Sequence, residues 1–328
     1  LFLSPAHAGR VTKRFDLPRS AFLAALPLVP ALAAGGRALA QTAPVVRIGA
    51  TANDTYAEAY YAVDKGFFTA AGLTVELTTF TNGAAVSAAV AAGALDVGIS
   101  NPVQIANAVA HGIPFAFFAG GALYSTAAPT TVLCVANDGK IKTPSDFAGQ
   151  TIAISALKDI TDLAKTVYLQ KNGVDPDAVK SIELPFAEMG PALARGTVAG
   201  AVISEPSLTS AVDAGNVRVF AKVFDAFAPR FLISGWFTTR DWYAKNTPLV
   251  KRVTATLYQT ARWANANKDE SAKLLAAHSK VSAETAAKMT RCVYAETITP
   301  ALIDPLLQVS YKAKLIDRPM PGAELILS

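Results

Sequence analysis

Two stretches, "GALDVGISNP" from Gly93 to Pro102 and "GTVAGAVISEP" from Gly196 to Pro206, decide the fold. Each begins on a glycine suited to ending a helix and continues as a short apolar run. Each closes on Ser-x-Pro, where proline fits the first turn of the next helix. Runs this short and this apolar at consecutive positions read as strands covered on both faces. The two stretches differ by one residue in length, and capping needs alone do not require them to match. Their correspondence predicts two similar α/β lobes meeting across a cleft.

Outward from these anchors, short apolar runs alternate with helical segments, which predicts mostly parallel sheets. Val45 to Ala50 is the first predicted strand, followed by a helix opened by the capping box Thr55-Tyr-Ala-Glu58 and closed at Gly66. "TVELTTF" follows as a strand, then a helix capped by Asn82 and ended by Gly93, then "LDVGIS" and a helix opening at Pro102. In the second half "TIAIS", "KSIEL", "AGAVIS" and "VRVF" read as strands. The helices between them are Ile160 to Asn172, a short one from Pro191 to Arg195, and one ending at Ala214.

The chain has 328 residues and a net charge of +5, with 52% hydrophobic and 17% charged residues. That balance excludes a disordered or disulfide-dense chain. The basic excess sits in the first forty residues, where Arg10, Lys13, Arg14, Arg19 and Arg37 face only Asp16. With the apolar run Ala21 to Ala34 and "ALA" at Ala38 to Ala40, residues 1–40 read as an export signal cleaved before Gln41. The expected product is a soluble periplasmic protein, with no lipid anchor because no cysteine stands at the cleavage site. The body that follows is nearly neutral, which removes a nucleic-acid reading. Cys134 and Cys292 are read as two separately buried thiols in preference to a disulfide.

In open α/β sheets, ligands sit beyond the carboxyl ends of strands, against helix N-termini. The residues at those ends are Thr51, Asn53, Asn82, Gly83, Ser100 and Asn101 in the first half, and Ser155, Ser204 and Glu205 in the second. They are the candidate ligand-binding residues, for a small polar or anionic molecule. Asn82 and Asn101 have plain helix capping as the competing role. Leu157 and Ile160 make the second rim more apolar and suggest an organic or aromatic portion on the ligand.

"AYYAVDKGFFTAAGLTVEL" (Ala59 to Leu77), "AAVAAGALDVGIS" and "IKTPSDFAGQTIAIS" (Ile141 to Ser155) resemble the nitrate/sulfonate/taurine group of ABC-transporter solute-binding proteins, the SsuA/THI5-like or NMT1-like family. The resemblance implies a bilobed type II periplasmic-binding-protein fold, two α/β lobes joined by two crossover strands. It puts residues 45–130 plus 230–328 in lobe 1 with the C-terminal helices, and 131–229 in lobe 2. The crossovers fall near "TTVLCVA" and "FLISGWFTT". Trp236 and Phe237 then stand near the hinge, each either stacking on a ligand or buried in the core. Tyr56 and Tyr61 face the same choice, with Tyr56 favoured for the cleft.

The function implied is capture of a small anionic or aromatic solute by a monomer that delivers it to an ABC permease in the inner membrane and its ATPase. No cofactor, metal or catalytic residue is expected. His111 and His278 lack partners at metal-ligand spacing. No phosphate loop, dinucleotide fingerprint or nucleophile elbow occurs. Asp159 and Asp162 are read as solvated. The alternative function is an exported enzyme acting on a pyrimidine or small acid in a THI5-like cleft, although the Cys-rich motif of that branch is missing.

Overall fold

Residues 45–327 are described in the computed structural model; the export-signal reading of residues 1–40 lies outside them. The first lobe opens with β1 (Val45–Thr51), a single 3-10 turn, α1 (Glu58–Asp64) and α2 (Phe67–Ala70). Then come β2 (Thr74–Phe80), α3 (Gly83–Ala91), β3 (Val97–Ser100), α4 (Pro102–Ala110) and β4 (Phe115–Gly120). The chain crosses through β5 (Ala122–Ser125) to β6 (Thr131–Ala136). The second lobe continues with β7 (Thr151–Ile154), α5 (Ile160–Lys171), β8 (Lys180–Glu183), α6 (Phe186–Ala194), β9 (Gly200–Ser204), α7 (Ser207–Asp213) and β10 (Val217–Ala221). It returns through β11 (Arg230–Leu232) to β12 (Gly235–Thr239). The helices α8 (Arg240–Ala266), α9 (Lys268–Ser279) and α10 (Ala283–Lys288), the short β13 (Val293–Tyr294) and α11 (Pro300–Lys312) complete it.

The two main sheets have matching orders, β2-β1-β3-β12-β4 and β8-β7-β9-β6-β10. In each, four strands run in the same direction, and the strand arriving from the other lobe inserts antiparallel beside the central one. The strands are mostly co-directional, as expected, but each sheet is mixed, because β12 and β6 enter from the far side and pair in the reverse direction. Their registers match too, with Gly235 opposite Ser100 and Thr131 opposite Ser204. Each Ser-x-Pro turn thus sits where a crossing strand begins.

Local chemistry accounts for the elements. The central strands β3 and β9 are buried at every position, whereas the edge strand β2 is exposed at alternate ones. Gly98 lets α3 pack onto β3, since an added Cβ would lie 2.5 Å from Val86 and 2.9 Å from Phe237. Helix α8 leaves helical geometry at Asn246, two residues before Pro248, whose ring clashes with the preceding turn.

Three local expectations are overturned. The capping box at Thr55 does not form: Ala57 is the N-cap of α1, and Glu58 turns inward with no exposed surface. The predicted Pro191 helix begins five residues earlier, at Phe186, and carries Pro191 inside it. Pro102 opens α4 behind Asn101, but α7 begins only after Pro206, so the two turns match in their strands and differ in their helix starts. Cys134 and Cys292 are free and buried, one in the second sheet and one beside Asp54. Among the described residues no helix is long and apolar enough to cross a membrane.

Candidate ligand-binding cleft

The carboxyl ends of β1 and β7, with the first turns of α3 and α5, face each other across a narrow cleft with a cavity volume of about 30 Å³. From the first lobe it is lined by Thr51, Asn53, Thr55, Tyr56, Asn82 and Gly83. The second lobe contributes the polar side chains of Thr131, Ser155, Asp159, Thr161 and Ser204. Ile160, Phe186 and Phe224 form an apolar wall, and Ile233 closes the hinge side.

Asp159 organises the second-lobe face. It is the N-cap of α5 because its side chain accepts from the backbone N–H groups of Thr161 (2.8 Å) and Asp162 (3.1 Å). The same oxygen, Oδ1, accepts from the Thr161 hydroxyl at 2.7 Å, and the other, Oδ2, accepts from the Ser155 hydroxyl. Burial pushes the Asp159 carboxyl up to about 6, against the pull of these donors. Across the cleft the Tyr56 hydroxyl is pushed above its ordinary range, by burial first and by the negative field of Asp159 second, with Asn101 opposing.

Asn82 joins the lobes. Its Oδ1 caps α3 by accepting from the Ala85 N–H at 2.9 Å, and its Nδ2 donates to the Ser155 carbonyl at 2.9 Å. A second join lies beneath the cleft, where the Asp54 N–H donates to the Glu205 carbonyl at 3.0 Å. The Glu205 carboxylate accepts from the Thr209 N–H and hydroxyl of α7, the helix that follows it, and from the Thr290 N–H of the other lobe at 3.2 Å. Burial pushes Glu205 up to about 7. Two polar atoms on the first-lobe lining, Thr51 Oγ1 and Asn53 Oδ1, are buried without a hydrogen-bond partner. A buried polar atom without a partner is costly unless something fills the space beside it.

Of the residues singled out in the sequence, Thr51, Asn53, Tyr56, Asn82, Gly83, Ser155 and Ser204 come together on the cleft surface. Ser100, Asn101 and Glu205 lie beneath it, each 2% exposed or less and absent from the lining. Ser100 donates to the Gly83 carbonyl, Asn101 caps α4, and Glu205 serves α7 and Thr290.

Trp236 is not a cleft residue. It has no exposed surface and its indole Nε1 donates to Glu58 Oε2 at 2.7 Å, because β12 turns that ring into the first-lobe core. Phe237 and Tyr61 are likewise buried. Asp159 and Asp162 are not solvated: the first caps α5, and the second pairs with Lys165 at 3.1 Å. The sequence did hold a signal for the first of these, an Asp standing immediately before a helical run. Phe186 and Phe224 were missed because neither lies in a segment with a clear strand or helix pattern.

A family model described as NMT1/THI5 like matches residues 53–271. The chain belongs to the NMT1/THI5-like family. Among solved structures, the family fold recurs in the alkanesulfonate-binding protein SsuA from Xanthomonas axonopodis pv. citri bound to MOPS. That likeness has 18% identity and a TM-score of 0.74, covering 87% of this chain and 99% of that one. The aliphatic sulphonate binding protein SsuA from Escherichia coli is similar at 19% identity and a TM-score of 0.69, over 86% and 97% of the two chains. The nitrate-binding protein NrtA from Synechocystis PCC 6803 is similar at 16% identity and a TM-score of 0.65, over 74% and 69%. No curated protein matches the chain in sequence. These likenesses establish a periplasmic-binding-protein fold of two α/β lobes, as the resemblance implied.

Proposed function

We propose that this chain is the solute-binding component of an ABC importer. It captures a small organic molecule between its lobes in the periplasm and hands it to a membrane permease. The observation that carries this reading is the cleft itself, walled from both lobes at their strand ends and holding buried polar atoms without partners. Capture works by closure. The two crossing segments, 121–130 and 222–234, are tied to each other by the antiparallel pairing of β5 with β11, so the lobes can rotate about one narrow strap. The Asn82–Ser155 and Glu205–Thr290 bonds hold the closed form.

The apolar wall of Ile160, Phe186 and Phe224 suits a ligand with an aliphatic or aromatic body. An enzymatic role in the cleft gains no support: Ser155 donates to a carboxylate, and among the described lining residues no imidazole or lysine stands ready to take its proton. Calorimetry against alkyl and aromatic sulfonates, carboxylates, nitrate, amines and pyrimidines tests the proposal, with scattering to follow the radius of gyration. Saturable binding with compaction and no turnover is expected. Conversion of any bound compound by the protein alone would overturn it.

A further inference from the structure

We infer that the ligand of this cleft carries a positively charged nitrogen head, an ammonium or amidinium, on an apolar body. The inference rests on the solute-capture reading and names the class of solute.

Three observations carry it. First, the helix N-termini that would attract an anion are capped in part by the chain itself. Asp159 accepts from the Thr161 and Asp162 N–H groups of α5, and Asn82 from the Ala85 N–H of α3. Second, among the described residues lining the cleft none is Lys, Arg or His, while one is an aspartate only 4% exposed. An anion closed in beside Asp159 would meet like charge in a poorly solvated space, with no cation to offset it. Third, acceptors in the cleft stand unsatisfied. Asn53 Oδ1, at a residue 7% exposed, has no partner, the Thr51 hydroxyl, which can accept as well as donate, has none either, and Asp159 Oδ2 receives only the Ser155 hydroxyl. A head with several N–H donors supplies what these oxygens lack. Phe186 and Phe224 can face the remainder of the molecule, with aromatic faces that also favour a cation.

The charged and titratable groups around Asp159 leave that carboxylate as the selecting charge. Tyr56 faces it across the cleft, and the Asp162–Lys165 pair one turn along α5 is closed on itself. Lys158 precedes it in the chain and directs its N–H to Asp162.

The test uses matched probes differing only in the head: benzamidine and benzylamine against benzoate and benzenesulfonate, and butylamine against butanesulfonate. Each is titrated calorimetrically into the full chain and into Asp159→Asn, which keeps a capping oxygen and removes the charge. Circular dichroism checks that the variant folds, and Ser155→Ala serves as a second variant that keeps the charge. At pH 7.5 the cationic member of a pair is expected to bind at least about tenfold tighter than its anionic partner, a preference that Asp159→Asn abolishes. Below pH 6 the wild type should lose affinity for the cation by up to about tenfold per pH unit, as Asp159 takes up a proton, and the variant should not. Tighter binding of the sulfonate or carboxylate, or unchanged cation affinity in Asp159→Asn, would overturn the inference and leave solute capture standing. Absence of binding by every probe, with no compaction in solution, would count against solute capture and the inference together.

Discussion

Glu58 shows how a single side chain can exchange one structural role for another. In the sequence it completes a capping box; in the structure it is fully buried and accepts from the Trp236 indole, with Oε1 left unpartnered. Burial pushes its carboxyl up to about 8. The folded value lies above the unfolded one, so the native state holds a proton that the unfolded chain releases earlier. Stability is therefore full below the ordinary carboxylate range and is lost as pH rises toward 8, by up to about 1.4 kcal/mol per unit. Glu58→Gln, which stays neutral and can still accept from Trp236, should raise the Tm at pH 8 and change it little at pH 5. Glu58→Ala should lower stability at both, by about 2–4 kcal/mol, through a cavity and an unpaired indole N–H. Thermal melts of the three proteins at the two pH values decide. No spacing rule foretold this, because the indole that claims Glu58 arrives from β12, far along the chain.

At the scale of an element, α3 is both a helix and a wall of the cleft. Asn82 caps it with one end of its amide and reaches the second lobe with the other. The two functions separate in two variants. Asn82→Ser retains a capping acceptor, adds no charge to the cleft and is too short to donate to Ser155, so the melting temperature should hold while ligand affinity falls several-fold. Asn82→Ala should lose both, with about 1 kcal/mol of stability from the cap. Equal affinity in wild type and Asn82→Ser would show that this bond does not hold the closed form.

The next residue sets two effects against each other. Alanine at Gly83 gains about 1 kcal/mol of helix propensity, but its Cβ would stand 2.6 Å from the Ser100 hydroxyl and 3.3 Å from the Ser100 Cα. Overpacking of this kind costs about 1–3 kcal/mol. Gly83→Ala is therefore expected to melt earlier than wild type and to bind ligand more weakly, both measurable in one thermal-shift titration. The helix was legible from Asn82 and the alanine run. Its approach to Ser100 was not, since that contact forms between segments seventeen residues apart that meet only when β3 joins the sheet.

The whole molecule carries several buried carboxyls raised by burial, with Glu58 at about 8, Glu205 at about 7 and Asp159 at about 6. Each folded value exceeds its unfolded one, so all three press the same way: stability should decline steadily between pH 5 and pH 8. The exposed Asp138, Asp146 and Glu284 are held below their ordinary range by neighbouring lysines and backbone N–H groups. Their contributions are lost only as pH falls further. The optimum for the unliganded protein is thus expected on the acid side, near pH 5, by calorimetric scanning. A Tm that rises between pH 5 and 8 would contradict the burial of these groups. A cationic ligand, by holding Asp159 ionised, should shift the optimum upward.

The sequence by itself determined the repeated strand–turn–helix units, the lobe-like repetition from Gly93 and Gly196, and the strand ends where polar residues gather. These are local properties: apolar periodicity, capping residues and glycines act within a few positions of themselves. The tertiary structure decided the mixed sheet order, the withdrawal of Trp236 into the core, and the placing of Ser100, Asn101 and Glu205 beneath the cleft and not on it. It also turned Asp159 from an apparent surface residue into a buried carboxylate on the cleft wall. Those outcomes depend on which strand crosses to which lobe and on what burial does to a carboxylate. Both arise only when residues more than a hundred positions apart exclude water from the same space.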